Sequence, residues 1–168
     1  ELSKKKITTT DLGAIVAAAA LAHDIGNPPF GHAGEEAISD FFKFHPSGKS
    51  WEKYLSKEEW MDMVNFEGNA QGFRMLVDKK NGLNISPATL AAFTKYPGSA
   101  SLSNAKSLRK SQKKYGFFSD QYSHFQNMAA SLELIQFSAA SWARHPLAFL
   151  VEAADDICYN IIDLEDGC

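Results

Sequence analysis

Cysteine is scarce in this chain of 168 residues: only Cys158 and Cys168 are present. Two thiols, one inside an apolar stretch and one at the terminus, exclude a disulfide framework and favour a reducing compartment, so a cytoplasmic location is expected. Long apolar runs are also missing. The longest, Leu12 to Ala22, is broken by Gly13 and falls well short of the ~20 residues that cross a bilayer, so no membrane partner is expected. Charge of one sign is lacking too, since 17 Lys+Arg stand against 20 Asp+Glu for a net charge of −3. That balance argues against a dedicated nucleic-acid-binding domain and leaves room for a local basic patch.

What is present is the composition of one soluble globular domain, with 45% hydrophobic and 22% charged residues. A chain this long buries enough surface to need no metal or disulfide for stability, so a metal would serve chemistry. The chain opens on Glu1 rather than Met and stops just after an acidic segment, as expected of a piece of a longer polypeptide.

Helical periodicity dominates. Thr8 and its neighbours supply N-cap hydroxyls, Asp11 sits in the first turn, and an Ala-, Leu-, Ile- and Val-rich stretch follows, predicting a helix over 11–24. Its few polar residues place it at the centre of the domain. Gly26-Asn27-Pro28-Pro29 forces a turn, and a second helix is expected from about Gly31 to Phe42. Residues 45–50 read as a loop and 57–77 as helical. Ser86-Pro87 caps a helix ending before Pro97, a long helix is expected over 120–140, and another from Pro146 to about Asp163. Gly98 to Lys114 is Ser/Lys/Arg-rich and reads as a mobile basic loop. No segment alternates with period two, so the architecture is all-α and undivided over 1–168.

Three constellations carry chemistry. His23-Asp24, at the end of the apolar helix, offers nitrogen and oxygen donors suited to a divalent cation; alone, such a dipeptide reads more readily as a histidine on the helix dipole beside a solvated aspartate. His32 and Glu35 are three apart on one helix face, either as an imidazole–carboxylate pair able to donate a proton or as an ordinary surface pair. Asp155, Tyr159 and Asp163 form a stripe along the last helix. A carboxylate at Asp155, among apolar neighbours, is costly unless paired or metal-bound, whereas Asp156, Glu165 and Asp166 read as a solvated acidic face.

The block Leu21-Ala22-His23-Asp24-Ile25-Gly26-Asn27-Pro28-Pro29-Phe30-Gly31-His32-Ala33-Gly34-Glu35-Glu36 resembles the signature of the HD-domain deoxynucleoside triphosphate triphosphohydrolases of the bacterial dGTPase type. The segments Phe66 to Arg74, Ala88 to Pro97, Arg144 to Leu147 and Glu152 to Tyr159 are similar to that family in the same order, and together they cover most of the chain. The resemblance implies a helical HD fold and hydrolysis of a deoxynucleoside triphosphate, dGTP foremost, to deoxynucleoside and inorganic triphosphate. It implies a divalent metal (Mn, Mg, Fe, Co, Ni or Zn) on His23, Asp24 and Asp155, with a fourth ligand, an upstream histidine, that residues 1–22 do not contain. The catalytic His and its acidic partner fall on His32 and Glu35. Asn69, Gln71, Lys95, Tyr96, Tyr159 and Asp163 match substrate-binding positions, Tyr159 against the sugar and Asp163 toward its 3′ hydroxyl, and Lys95 is a better triphosphate cation than Arg74. Relatives carrying His where Phe66 stands put a pocket role for that position in doubt. The resemblance also implies a homo-oligomer, often a hexamer.

Competing readings are another HD phosphohydrolase, a nucleotidase or phosphodiesterase, which would share His23, Asp24 and Asp155, and a non-catalytic nucleotide-sensing module. The basic run Lys106, Arg109, Lys110, Lys113 and Lys114 reads first as a solvated loop and second as an effector site touching phosphates or single-stranded DNA.

Overall fold

Thr8 begins the first regular element: its hydroxyl accepts from the Asp11 amide while the Asp11 carboxylate accepts from the Thr8 amide at 2.8 Å, a reciprocal capping box. The computed structural model describes residues 7–102 and 114–167. Among the described residues its regular elements are helices joined by turns and loops, apart from one small hairpin. The helices are α1 (Thr9–Ala22), α2 (His32–Phe44), α3 (Pro46–Lys49), α4 (Lys57–Val64), α5 (Gly68–Val77), α6 (Pro87–Phe93), α7 (Tyr122–Ser131) and α8 (Pro146–Asp166). The hairpin pairs β1 (Gln136–Ser138) with β2 (Ser141–Trp142) in antiparallel register. All-α is therefore the class, with the hairpin as a local addition.

The short helix α6 is the hub. Ser86 caps it through the Thr89 amide, Pro87 fills its first turn, and Leu90 to Phe93 are all buried. It packs against α1, α8, α7 and α5. Around it lies an aromatic core in which Phe117 stacks on Phe125 at 4.4 Å and Phe125 meets Phe73 at 5.5 Å and Trp142 at 5.1 Å. Each such ring contributes roughly 2–3 kcal/mol through burial. A smaller cluster of Ala70, Ala100, Tyr115 and Phe118 sits beside it. There the Tyr115 hydroxyl donates to the Asp62 carbonyl, and the Asp62 carboxylate accepts from the Ser119 amide at 2.7 Å. Residues 115–118 are thus all buried and tied to α4.

Several expectations change. The apolar helix α1 is not central: Ala19 alone is buried in it, and Leu21 is 90% exposed. An alanine-rich face packs on one side without being covered on the other. Residues 45–50 contain α3 rather than only a loop, because the His45 side chain accepts from the Ser47 amide and Pro46 fits the first turn. The helical stretch 57–77 breaks into α4 and α5 around Asn65–Glu67. The long helix expected over 120–140 stops at Ser131; Glu133 takes a left-handed φ of 53°, and the hairpin follows. Of the loop expected over 98–114, residues 103–113 lie outside the described residues. Its flanks are held: Gly98 bridges to Ser141, the Gly116 amide donates to the Gly98 carbonyl, and Ala100 is buried.

Candidate active site

The end of α1 sets the first half of the site. His23 caps the helix, residues 23–26 form a turn, and Pro28-Pro29 forbid continuation. The His23 Nδ1 donates to the Ala20 carbonyl at 2.7 Å, leaving Nε2 for other partners. Nε2 lies 3.2 Å from Asp24 Oδ2 and 3.5 Å from Asp155 Oδ1. Asn27 donates to the other Asp24 oxygen at 2.8 Å. Gly26 packs directly on α5: a Cβ there would strike the Gly72 amide and the Gly68 carbonyl and lie 2.6 Å from Gly72 Cα. This close backbone approach brings the His-Asp turn beside the residues that open α5.

The second half comes from α2, α5 and Lys114. Glu35 is buried; one of its oxygens accepts from the Gly68 amide at 2.7 Å and the other is 3.5 Å from Lys114 Nζ. A Cβ on Gly68 would sit 2.5 Å from the Asn27 side-chain oxygen and 2.8 Å from the Glu35 carboxylate, so any larger residue there would require both side chains to shift. His32, exposed on the first turn of α2, lines the same cavity as Glu35. Among the described residues the Glu35 carboxylate is engaged by Gly68 and Lys114 rather than by the imidazole.

Glu67 lies beneath. It is 5% exposed, accepts from Asn69 Nδ2 at 2.7 Å and pairs with Lys114 Nζ at 3.1 Å. Burial pushes its carboxyl above the usual carboxylate range, and nearby Glu35 adds to this, against the lowering effects of Asn69 and Lys114. For Lys114, burial works downward, but the Glu67 and Glu35 charges outweigh it and hold the ammonium above the ordinary lysine value.

The third wall is α8. His145 caps it through the Leu147 amide and Pro146 starts it. Glu152 and Asp155, one turn apart, both face the cavity. Glu152 takes 2.8 Å from Arg144 Nη1 and lies 3.4 Å from Lys95 Nζ, while Arg144 Nε donates to the Lys95 carbonyl at 2.7 Å. Burial alone would raise the Glu152 carboxyl; Arg144 and then Lys95 hold it below its ordinary value.

These elements enclose an open cavity of ≈ 630 Å³. His23, Asp24, His32, Glu35, Asn69, Lys95, Tyr96, Asp155 and Tyr159 all line it. Gln71 and Asp163 do not. Gln71 lies two residues beyond Asn69, on a different face of α5, and Asp163 lies one turn past Tyr159, where α8 is exposed all round. That exposure also removes the apolar burial expected around the stripe, since Ile157, Ile161 and Ile162 are more than half exposed. Arg74 is on the outer surface, paired with Asp120 at 2.7 Å. Phe66 packs on Phe118 at 6.0 Å rather than facing the cavity.

The sequence reading missed Lys114, Glu67 and the Arg144–Glu152–Lys95 network. Lys114 belongs by sequence to a basic run that reads first as solvated and second as a phosphate contact, and its side chain is 30% exposed and lines the cavity. The signal lay next door, in Tyr115-Gly116-Phe117-Phe118, an apolar run marking the return to the core.

The donor set tests whether a metal fits. One imidazole nitrogen and two carboxylates, with the far ring nitrogen fixed by a backbone carbonyl, are a chemically apt partial set for a divalent cation. Among the described residues, however, no group of three His, Cys, Asp or Glu side chains is arranged to hold a metal ion as it stands.

A helical frame with a His-Asp turn facing an aspartate on a distant helix defines a class, and the HD domain family model matches residues 9–98: the chain belongs to the HD domain family. Among its relatives, the deoxyguanosinetriphosphate triphosphohydrolase-like protein of Synechocystis sp. (strain ATCC 27184 / PCC 6803 / Kazusa) is 47% identical over 96% of this chain and 39% of its own length. The protein of that same description from Pseudomonas aeruginosa (strain LESB58) is 44% identical over 94% of this chain and 36% of its own. The deoxyguanosinetriphosphate triphosphohydrolase of Yersinia pseudotuberculosis serotype O:3 (strain YPIII) is 35% identical over 97% and 38%. The chain thus spans little more than a third of the length of these relatives. Among the described residues no helix is long and apolar enough to cross a membrane.

Proposed function

We propose that this chain carries the phosphate-binding and hydrolytic part of a metal-dependent deoxynucleoside triphosphate triphosphohydrolase acting on dGTP. The observation that carries the reading is one cavity where the donors His23, Asp24 and Asp155 stand beside His32 and Glu35, with Lys95 and Lys114 on its walls. The names of the relatives support the choice of nucleotide. His23, Asp24 and Asp155 would hold the divalent ion, which when bound polarises the α-phosphate.

Water adds to the α-phosphorus and releases a proton to solvent, the bond from phosphorus to the 5′ oxygen breaks, and the inorganic triphosphate keeps the added oxygen. His32 donates a proton to the departing 5′ oxygen, which would otherwise leave as a poor alkoxide. Glu35, a buried carboxylate on the same helix face, supports the charged imidazole electrostatically. Lys95 and Lys114 are the cations for the β- and γ-phosphates. Tyr159 lines the wall where it can pack on the sugar and exclude a 2′ hydroxyl.

The test is to incubate the full-length protein with dGTP and Mn²⁺ or Mg²⁺ and identify the products. Deoxyguanosine and inorganic triphosphate in equal amounts are expected. Pyrophosphate or orthophosphate as the product would assign the site to another phosphohydrolase chemistry, and absence of turnover with every deoxynucleotide would favour a sensing module.

A further inference from the structure

Glu67 is a buried acid with no place on the cavity wall, yet it holds two residues that have one. Its Oε1 takes both the Asn69 amide at 2.7 Å and the Lys114 ammonium at 3.1 Å. Lys114 is shared, since its nitrogen is also 3.5 Å from Glu35. Two carboxylates on one ammonium leave this corner with a surplus negative charge, an arrangement that opposes anion binding unless it serves to place the cation. Lysine has a long flexible stem and a point charge, so its position must be set by whatever it pairs with. The chain approaches Lys114 from the buried segment 115–118, which fixes the backbone but not the ammonium.

We infer that Glu67 is a positioning residue for anion binding: from beneath the cavity it fixes the Lys114 ammonium and the Asn69 amide at the places where they meet phosphate oxygens. This rests on the phosphate-binding reading above. Without Glu67, Lys114 collapses onto Glu35, its only other carboxylate partner among the described residues. The cation is then withdrawn from substrate and the Glu35 carboxylate is neutralised beside His32.

The direction of the effect separates this from the alternatives. Simple electrostatics says that removing a carboxylate strengthens binding of a polyanion. Positioning says that it weakens binding, and chiefly while Lys114 is present, the neutral Asn69 amide being the lesser contact. The experiment is a double-mutant cycle on the full-length protein with Glu67→Gln and Lys114→Met, reading calorimetric affinity for inorganic triphosphate without added metal. Glu67→Gln is expected to weaken binding about ten-fold in the native background and no more than about two-fold in the Lys114→Met background. Glu67→Asp, which keeps the charge but shortens the reach, is expected to recover part of the loss. If Glu67→Gln does not melt cooperatively, the same cycle is run with Glu67→Asp. Unchanged or tighter binding overturns the inference, as does the same loss in both backgrounds, which marks a structural role. Product analysis with dGTP is kept separate. Turnover with an additive cycle refutes Glu67 alone, whereas a coupled cycle without turnover refutes the reaction and leaves Glu67 in place.

Discussion

Removing Arg144 tests how the cavity wall is held together. Its side chain is 7% exposed and makes two charge-assisted bonds, Nη1 to Glu152 Oε2 at 2.8 Å and Nε to the Lys95 carbonyl at 2.7 Å, with Nη2 buried and unpartnered among the described residues. Its guanidinium also lies 5.2 Å from the centre of the Phe149 ring. Arg144→Met keeps most of the volume and removes the charge. Breaking a buried pair by deleting one partner costs about 3–5 kcal/mol. Here Lys95, at 3.4 Å, stays as a second partner for Glu152, and the orphaned Nη2 is relieved, so we expect the low end, about 3 kcal/mol. The assay is urea unfolding at neutral pH, repeated into the acid range. Glu152 titrates below its ordinary value of 4.5 in the folded protein, so its stabilisation is complete above pH ~4.5 and disappears as pH falls through the lowered folded value. Arg144→Met should therefore flatten that acid limb as well as lower the plateau. A loss below about 1 kcal/mol, or an unchanged acid limb, refutes the reasoning.

Four further outcomes follow from the same geometry. Gly26→Ala should destabilise by about 3 kcal/mol, because the new methyl meets only backbone of α5; a thermal melt within a degree or two of the native protein would contradict that contact. Burial holds His145 below its ordinary value of 6.5, and its ring nitrogen caps α8 through Leu147. Its contribution is complete above pH ~6.5 and is lost as pH falls through the lowered folded value, so melting temperatures of the native protein should fall more steeply in this range than those of His145→Asn, which keeps a cap without titrating. His32→Ala should cost about 10²–10⁴ in kcat with little change in KM, and near-normal kcat would remove it as the acid. Tyr159→Ala should relax the preference for dGTP over GTP, measured as the ratio of kcat/KM; equal rates for both in the native protein would remove the steric account.

Local chemistry is legible in the sequence mainly where caps and turns join near neighbours in the chain. The Thr8–Asp11 box, the proline turn after His23 and the Ser86 cap all rest on contacts within a few residues. The helical spacing of Asp155 and Tyr159 carried them to one cavity face, and Asp163, a turn further on, lies outside the residues that line it. What stayed hidden depends on long-range juxtaposition. Glu35 meets the Gly68 amide across 33 positions, Glu67 meets Lys114 across 47, and Arg144 meets the Lys95 carbonyl across 49. Charged residues in polar stretches look solvated until the fold shows what lies against them. The hairpin after α7 was hidden for another reason: its strands are only three and two residues long, too short for alternation to register.

The most direct test of the account is the position of the oxygen taken from solvent. Full-length protein, dGTP and Mn²⁺ are incubated in ¹⁸O-labelled water, and both products are weighed by mass spectrometry. Attack at the α-phosphorus with His32 protonating the 5′ oxygen puts one ¹⁸O in the inorganic triphosphate and none in deoxyguanosine. Label in the nucleoside, or release of pyrophosphate or orthophosphate instead, would contradict it.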